Sequence, residues 1–381
     1  MKRVDALVIG GGPAGALTAL LLARRGWHTL LVEQARFPRN KVCGEFLAPA
    51  ALALLEELGV ADVVARAGPA VHRVALYAGR RRVVADLPAC GRPARAVSRA
   101  LLDAGLLDHA RAAGVEVWQP ATVSRVVSRA DGGTCAIVAA NVEHTVAARI
   151  VVAAHGSWTP GPLPTQPARR TAQAHDLFGF KAHLAGVPLA DDLLPLMTMP
   201  GGYAGAVRTS DGVVNLSCCV RRDVLEASRV RHRGLRAGDA VLAALCAANA
   251  GARALFEHAA LVGEWHACGP LRPGVRPRVV DGLYVVGNAA GESHPLVGEG
   301  IAMALQSAVL LVEHLARREA AAAYARAWRA AFVPRIAFSA AVAHLALRPT
   351  ASSLFARGAA AMPSLLTMLA RWSGKATRGA A

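Results

Sequence analysis

The stretch DALVIGGGPAGALTALLLARRGWHTLLVE, residues 5–33, sets three consecutive glycines between two apolar segments and ends on a single acid. Asp5 to Ile9 reads as a short buried strand, and Ala14 to Arg25 as a helix with Leu17, Leu20, Leu21 and Leu22 apolar. Thr29 to Val32 reads as a second strand, which makes a βαβ unit whose turn is Gly10-x-Gly12-x-x-Gly15. Gly10 permits the tight turn, Gly12 lets a pyrophosphate approach the backbone, and Gly15 lets the helix pack close to the sheet. The helix N-terminus faces the phosphate charge. Glu33, closing the second strand, is placed to accept hydrogen bonds from a ribose diol, and its charge would repel a 2′-phosphate. The unit therefore predicts a dinucleotide site of the non-phosphorylated type.

A secretory leader fits this stretch poorly. Lys2 and Arg3 precede an apolar run, but Asp5 interrupts it and Gly10–Pro13 break any continuous helix. Arg24 and Arg25 stand where a small-residue cleavage site would be needed. No other uncharged stretch of 18 residues would clearly span a bilayer, so a cytoplasmic location is expected.

The chain has 381 residues and a formal net charge of +17, almost wholly from arginine, since Lys2, Lys41, Lys181 and Lys375 are the only lysines. No zinc-finger spacing, aromatic RNA-binding segment or lysine-rich tail accompanies the charge, so no nucleic-acid partner is expected. The charge is uneven. From Arg317 onward ten basic residues face Glu319 alone and are interleaved with Leu, Phe and Trp. Solvated helix faces would explain this pattern, as would a basic amphipathic surface for a membrane or a carrier. Cys43, Cys90, Cys135, Cys218, Cys219, Cys246 and Cys268 are odd in number and contain no CxxC, so neither a disulfide framework nor a metal site is predicted.

Further along, a helix is expected from Pro49 to Leu58, two short strands around Gly79, and a helix capped by Ser98 and running to Ala113. Strands follow through ARIVVAAHG. The region from Ala168 to Val220 reads as mainly strand and loop with a hairpin at TSDGVV, and Asp239–Ala259 as helical. A long helix is expected over Val297–Arg318, then a helical tail interrupted at Pro334, Pro349 and Pro363.

The second informative stretch is LYVVGNAAGESHPLVGEGIAMALQSA, residues 283–308. Its strand delivers Gly287 and Asn288 to a C-terminal end, where ligands bind in open α/β sheets. Pro295, Gly298 and Gly300 then leave a bare backbone at a helix start, whose dipole would stabilise negative charge, such as develops on the N1–C2=O2 edge of a reduced flavin.

Taken with FPRNKVCGE, Arg99 in SRALLDAGLL, and VVAAHGS, these motifs resemble the FAD-dependent oxidoreductases of the p-hydroxybenzoate hydroxylase fold. The resemblance is greatest to the geranylgeranyl reductase-like branch, itself related to flavin-dependent halogenases, and covers residues 5–320. It implies an α/β fold: a Rossmann-type FAD-binding domain with an inserted β-sheet substrate domain and a helical C-terminal tail. The implied boundaries are 1–70, 96–165 and 270–320 for FAD, 71–95 and 166–269 for substrate, and 321–381 for the tail. Gly10, Gly12, Gly15 and Glu33 would hold the ADP half, with Pro13, Ala14 and Gln34 beside them. Arg36, Lys41 and Arg99 would line the FAD channel with Val42, Cys43, Gly44, Val123 and Gly156. Gly287 and Asn288 would meet the ribityl chain, while Pro295, Gly298, Glu299, Gly300 and Ile301 would face the isoalloxazine. Two positions depart from the pattern: Asn288 and His155 stand where relatives usually carry Asp.

Two flavin-loop motifs of the reductases, KVCGE and PLVGEGI, are present, whereas Tyr-x-Trp-x-Phe-Pro survives only as Tyr203. The resemblance implies carbon–carbon double-bond reduction of a lipophilic, isoprenoid or polyketide-like molecule, with Cys43 and His294 as candidate proton donors. Monooxygenation of an aromatic or polyketide substrate is the alternative, and a non-catalytic flavin-binding protein a remote one. Halogenation is not expected, because no Trp-x-Trp-x-Ile-Pro occurs. Electrons would come from NAD(P)H or a separate reductase.

Overall fold

A computed structural model describes residues 1–88, 92–129, 132–156, 160–168 and 170–372. Cys90, Ser157 of VVAAHGS, Lys375 and the tail beyond 372 lie outside the described residues.

The opening βαβ unit forms as its sequence dictates. Strand Lys2–Ile9 pairs in parallel with Thr29–Val32 on one side and Val142–Ala153 on the other. Ala6, Leu7 and Val8 are fully buried, as a strand covered on both faces requires. Helix Pro13–Ala23 starts on proline and has no polar face. It packs between helices Arg99–Ala112 and Gly300–Ala316. Gly15 is indispensable to this packing: a Cβ there would lie 1.8 Å from the Gly10 carbonyl oxygen. The sheet continues through Leu283–Val285 beyond Val142–Ala153 and through Glu116–Trp118 beyond Thr29–Val32.

A second, seven-stranded sheet runs in the order 260–271, 177–185, 214–221, 202–208, 193–199, 73–78, 81–86. Neighbours are antiparallel, except that Leu193–Met199 runs parallel to Arg73–Ala78. Alternation along Leu177–Ala185 assigns its two faces. Phe180, Ala182 and Leu184 meet the core formed with Val241, Leu245 and Phe256 of the covering helices. Gly179 and its neighbours on the opposite face turn toward the first domain, where Gly179 lines a cavity.

Several expected boundaries shift for identifiable reasons. The helix expected over Asp239–Ala259 is two helices, Ala237–Ala248 and Ala250–Phe256. Asn249 breaks it: Oδ1 accepts the Ala252 N–H, while Nδ2 donates to the Tyr77 and Thr198 carbonyls. The helix expected from Val297 begins at Gly300, because Pro295–Val297 forms a separate 3-10 turn closed by Gly298 at φ 67°. Pro334 does not interrupt the tail, since one helix runs from Ala321 to Ala346. The backbone bond lost at proline is outweighed by packing on both sides of it, with Trp328, Phe332 and Ile336 all buried. Pro349 and Pro363 do mark helix starts. No single helix among the described residues is long and apolar enough to cross a membrane; helices Ala321–Ala346 and Pro349–Ala361 meet at 101°.

Candidate active site

The two glycine turns, far apart in sequence, meet at one cavity of about 450 Å³ between the sheets. Gly287 brings them together, since a Cβ on it would lie 2.8 Å from the Ala14 Cβ. Gly10, Gly12, Pro13, Ala14, Glu33 and Gln34 line one end. Lys41, Val42, Cys43, Gly44, Arg99, Val123 and Gly156 line the middle. Gly287, Asn288, Pro295, Gly298, Gly300 and Ile301 line the other end.

At the first end, Glu33 is buried and accepts N–H groups from Gly11 at 2.6 Å and Ala35 at 2.8 Å. Beside Gly12, a Cβ would lie 3.9 Å from an Arg99 guanidinium nitrogen and 4.0 Å from one of Arg39. Arg99 is held by two 2.7 Å hydrogen bonds to the buried carboxylate of Asp103. Burial, then the charges of Arg99 and Arg39, lower the Lys41 pKa to about 8. Three cations crowded at a bare helix start suit a diphosphate, and the cradle fits the ADP half of FAD.

This crowding predicts pH dependence. A bound diphosphate favours charged Lys41, so FAD affinity should fall, by up to about tenfold, as pH rises from 7 to 9. Titration by quenching of flavin fluorescence measures it, and Lys41→Met should flatten the profile. A profile already flat in the parent protein would refute the cation's role.

Four expected residues stand outside the cavity lining. Gly15 serves helix packing, as described above. Arg36 is exposed, and Arg39, after the Phe37-Pro38 turn, occupies the channel instead. Glu299 is buried and turned to Arg335, 2.5 Å away. His294 lies behind the wall: its Nδ1 is 3.1 Å from the Tyr203 hydroxyl, and its backbone N–H donates to Ser339. Burial lowers the His294 pKa to about 4, so the ring is neutral.

Tyr203 itself lines the cavity. Its hydroxyl also meets the Cys219 thiol and accepts the Leu296 N–H. Burial, with Cys219, pushes the phenol well above its ordinary pKa and keeps it protonated. Leu194, Leu196, Phe46 and Leu271 add an apolar wall on this side. Gly205 leaves the wall open where a Cβ would make only ordinary contact, 3.5 Å from Leu196. The departing residues adapt locally. Asn288 Nδ2 donates to Glu292, and both His155 ring nitrogens are engaged, by the Gly156 carbonyl and the Thr165 hydroxyl.

One cluster escaped sequence reasoning. Glu45 is fully buried with φ 56°. Its Oε1 accepts the Arg99 N–H at 2.8 Å and Lys181 Nζ at 2.5 Å, while Oε2 lies 3.3 Å from His183 Nε2. Burial alone would raise its pKa, but His183, Lys181 and the Arg99 N–H bring it below the ordinary value. The pair ties the KVCGE loop to the second sheet, close to Cys43, whose Sγ accepts the Glu45 N–H at 3.4 Å.

Comparison with known proteins agrees with this architecture. Residues 3–171 match the FAD binding domain family. The chain is 28% identical to a menaquinone reductase of Mycolicibacterium smegmatis over 322 residues, 82% of this chain and 76% of that one. Over 70 residues, 18% of this chain and 17% of the other, it is 43% identical to a 6-methylpretetramide 4-monooxygenase of Streptomyces rimosus. The structure of the flavin-dependent brominase Bmp2 superposes with TM-score 0.80 at 19% identity, covering 98% of this chain and 94% of that one. With an FAD binding domain matched over residues 3–171 and reductases and a monooxygenase among the proteins it is similar to, the chain is an FAD-dependent oxidoreductase.

Proposed function

We propose that the protein reduces a carbon–carbon double bond of a lipophilic small molecule, isoprenoid or polyketide-like. When bound, FAD supplies the hydride chemistry in its reduced form, drawing electrons from NAD(P)H or a separate reductase. The other carbon then needs a proton, and the presence of Tyr203 in the cavity wall is the observation that carries the reading. Tyr203 gives its Oη proton to that carbon. The Leu296 N–H and the neutral His294 ring, with its proton on Nδ1, hydrogen-bond the phenolate left behind. Leu194, Leu196 and Phe46 hold the apolar substrate and exclude water. Cys43 lines the same cavity against Arg99.

Menaquinone, whose polyprenyl tail carries isolated double bonds, is a suitable probe. Reduced protein incubated with it without air should yield a tail heavier by two hydrogens, read by mass spectrometry. The alternative, hydroxylation, draws on the likeness to the Streptomyces monooxygenase and needs no proton donor on the wall. A product that gains one oxygen atom, and only in air, would establish that alternative and overturn reduction. Flavin that binds but resists reduction would support a non-catalytic protein.

A further inference from the structure

We propose that the outer face of the C-terminal helices, Pro349–Ala361 and Ser364–Ala370, docks on an anionic lipid bilayer. From Ala320 to the last residue the sequence holds eight Lys or Arg and no Asp or Glu. In the described part of that segment, large apolar side chains are unusually exposed: Leu354 and Trp372 at 65%, Leu345 and Met362 at 52%, Met368 at 42%. Helix geometry separates these from the packed face. In Pro349–Ala361 the buried residues are Ser352, Ala356 and Ala359, and Leu354 lies opposite them. In Ser364–Ala370 the buried residues are Leu366 and Ala370, and Met368 lies opposite. Arg348, Arg357 and Arg371 are exposed among these apolar side chains.

The inner face explains why docking here would matter. Ala356, Ala359, Leu366 and Ala370 share a core with Phe46 and Leu194, which line the cavity. Leu347, at the elbow between helices, packs on the core of Tyr203, Cys219 and Leu271. The exposed surface is thus one helix thick over the apolar wall of the cavity. A helical segment bearing cations and no acids of its own, with bulky aliphatic side chains and a tryptophan exposed, matches lipid phosphates above acyl chains. A lipophilic substrate would then enter from the bilayer beside the wall that receives it.

The test uses the FAD-loaded full chain in sedimentation with vesicles of pure phosphatidylcholine, or of phosphatidylcholine containing phosphatidylglycerol. Binding to the anionic vesicles alone is expected, weakening as salt rises. Arg357→Glu should lower vesicle affinity at least about fivefold, and Leu354→Glu with Met368→Glu should also release the protein. The flavin absorbance spectrum should stay that of the parent. No sedimentation, or sedimentation unchanged in the variants, overturns the proposal. A dimer in light scattering that dissociates in Leu354→Glu overturns it in favour of a second copy. The readout is binding, so it stands whether the reaction proves to be reduction or hydroxylation.

Discussion

Replacing Lys181 by methionine is expected to destabilise the protein by about 3–5 kcal/mol, because it strands a buried carboxylate. Lys181 and Glu45 are both fully buried and 2.5 Å apart. Without the ammonium, Glu45 keeps the Arg99 N–H and His183, but burial then dominates and its carboxyl pKa rises. The loss should therefore depend on pH. In the parent, the folded pKa of Glu45 is lowered, so its stabilisation is present above the ordinary carboxylate range and fades as pH falls through the folded value. In Lys181→Met the sign reverses: Glu45 protonates more readily folded than unfolded. The deficit against the parent should shrink from pH 7.5 toward pH 5. Urea unfolding of parent and variant at both values measures this. The double variant Glu45→Gln with Lys181→Met should regain part of the loss, since no charge remains buried. An equal deficit at both pH values would mean that lost packing, not the stranded charge, sets the cost.

Tyr203→Phe is expected to lower the turnover of the menaquinone probe by about 10²–10⁴-fold, the range for removing a positioned general acid. The ring stays, so the wall of Leu271 and Cys219 around it is kept. FAD affinity and the flavin spectrum should match the parent, which separates lost proton delivery from a damaged site. His294→Gln should be milder, because the Leu296 N–H still meets the hydroxyl. A solvent isotope effect should persist or grow in Tyr203→Phe, because slower, unassisted protonation from water then limits turnover. Turnover within a few-fold of the parent would remove Tyr203 from the reaction and return Cys43 to consideration.

Local patterning made the first domain readable. An apolar strand, a glycine turn, an all-apolar helix and a closing acid fall within residues 5–33, so neighbours in sequence are neighbours in space. The late loop was legible for the same reason: Gly298 and Gly300 advertise a bare helix start. Long-range placement was not. Arg36 and Arg39 share one arginine-rich segment, and only the path of the chain around Pro38 decides which of them enters the channel. Lys181 looks like an ordinary strand residue until its partner, 136 residues earlier, is known. His294 stands in a cofactor loop, but its ring turns outward to a tyrosine from the second sheet. Asn249 and Pro334 show both directions of tertiary control. Three side-chain bonds divide an apolar run at Asn249, and a packed aromatic face carries a helix through Pro334.

The helix Ala321–Ala346 is fastened three times to the segment carrying the late glycines. Trp328 fills the space beside Gly291, where a Cβ would lie 2.5 Å from its ring. Ser339 receives the His294 N–H from 45 residues upstream, and Arg335 grips Glu299 from 36 residues upstream. A chain cut short near residue 320 would keep every glycine of the nucleotide fingerprint yet lose the buttress that shapes the ring-facing turn. Such a fragment should still retain adenine nucleotides while gripping the isoalloxazine end poorly. Recognition of the two halves of the cofactor would then be apportioned to opposite ends of the polypeptide.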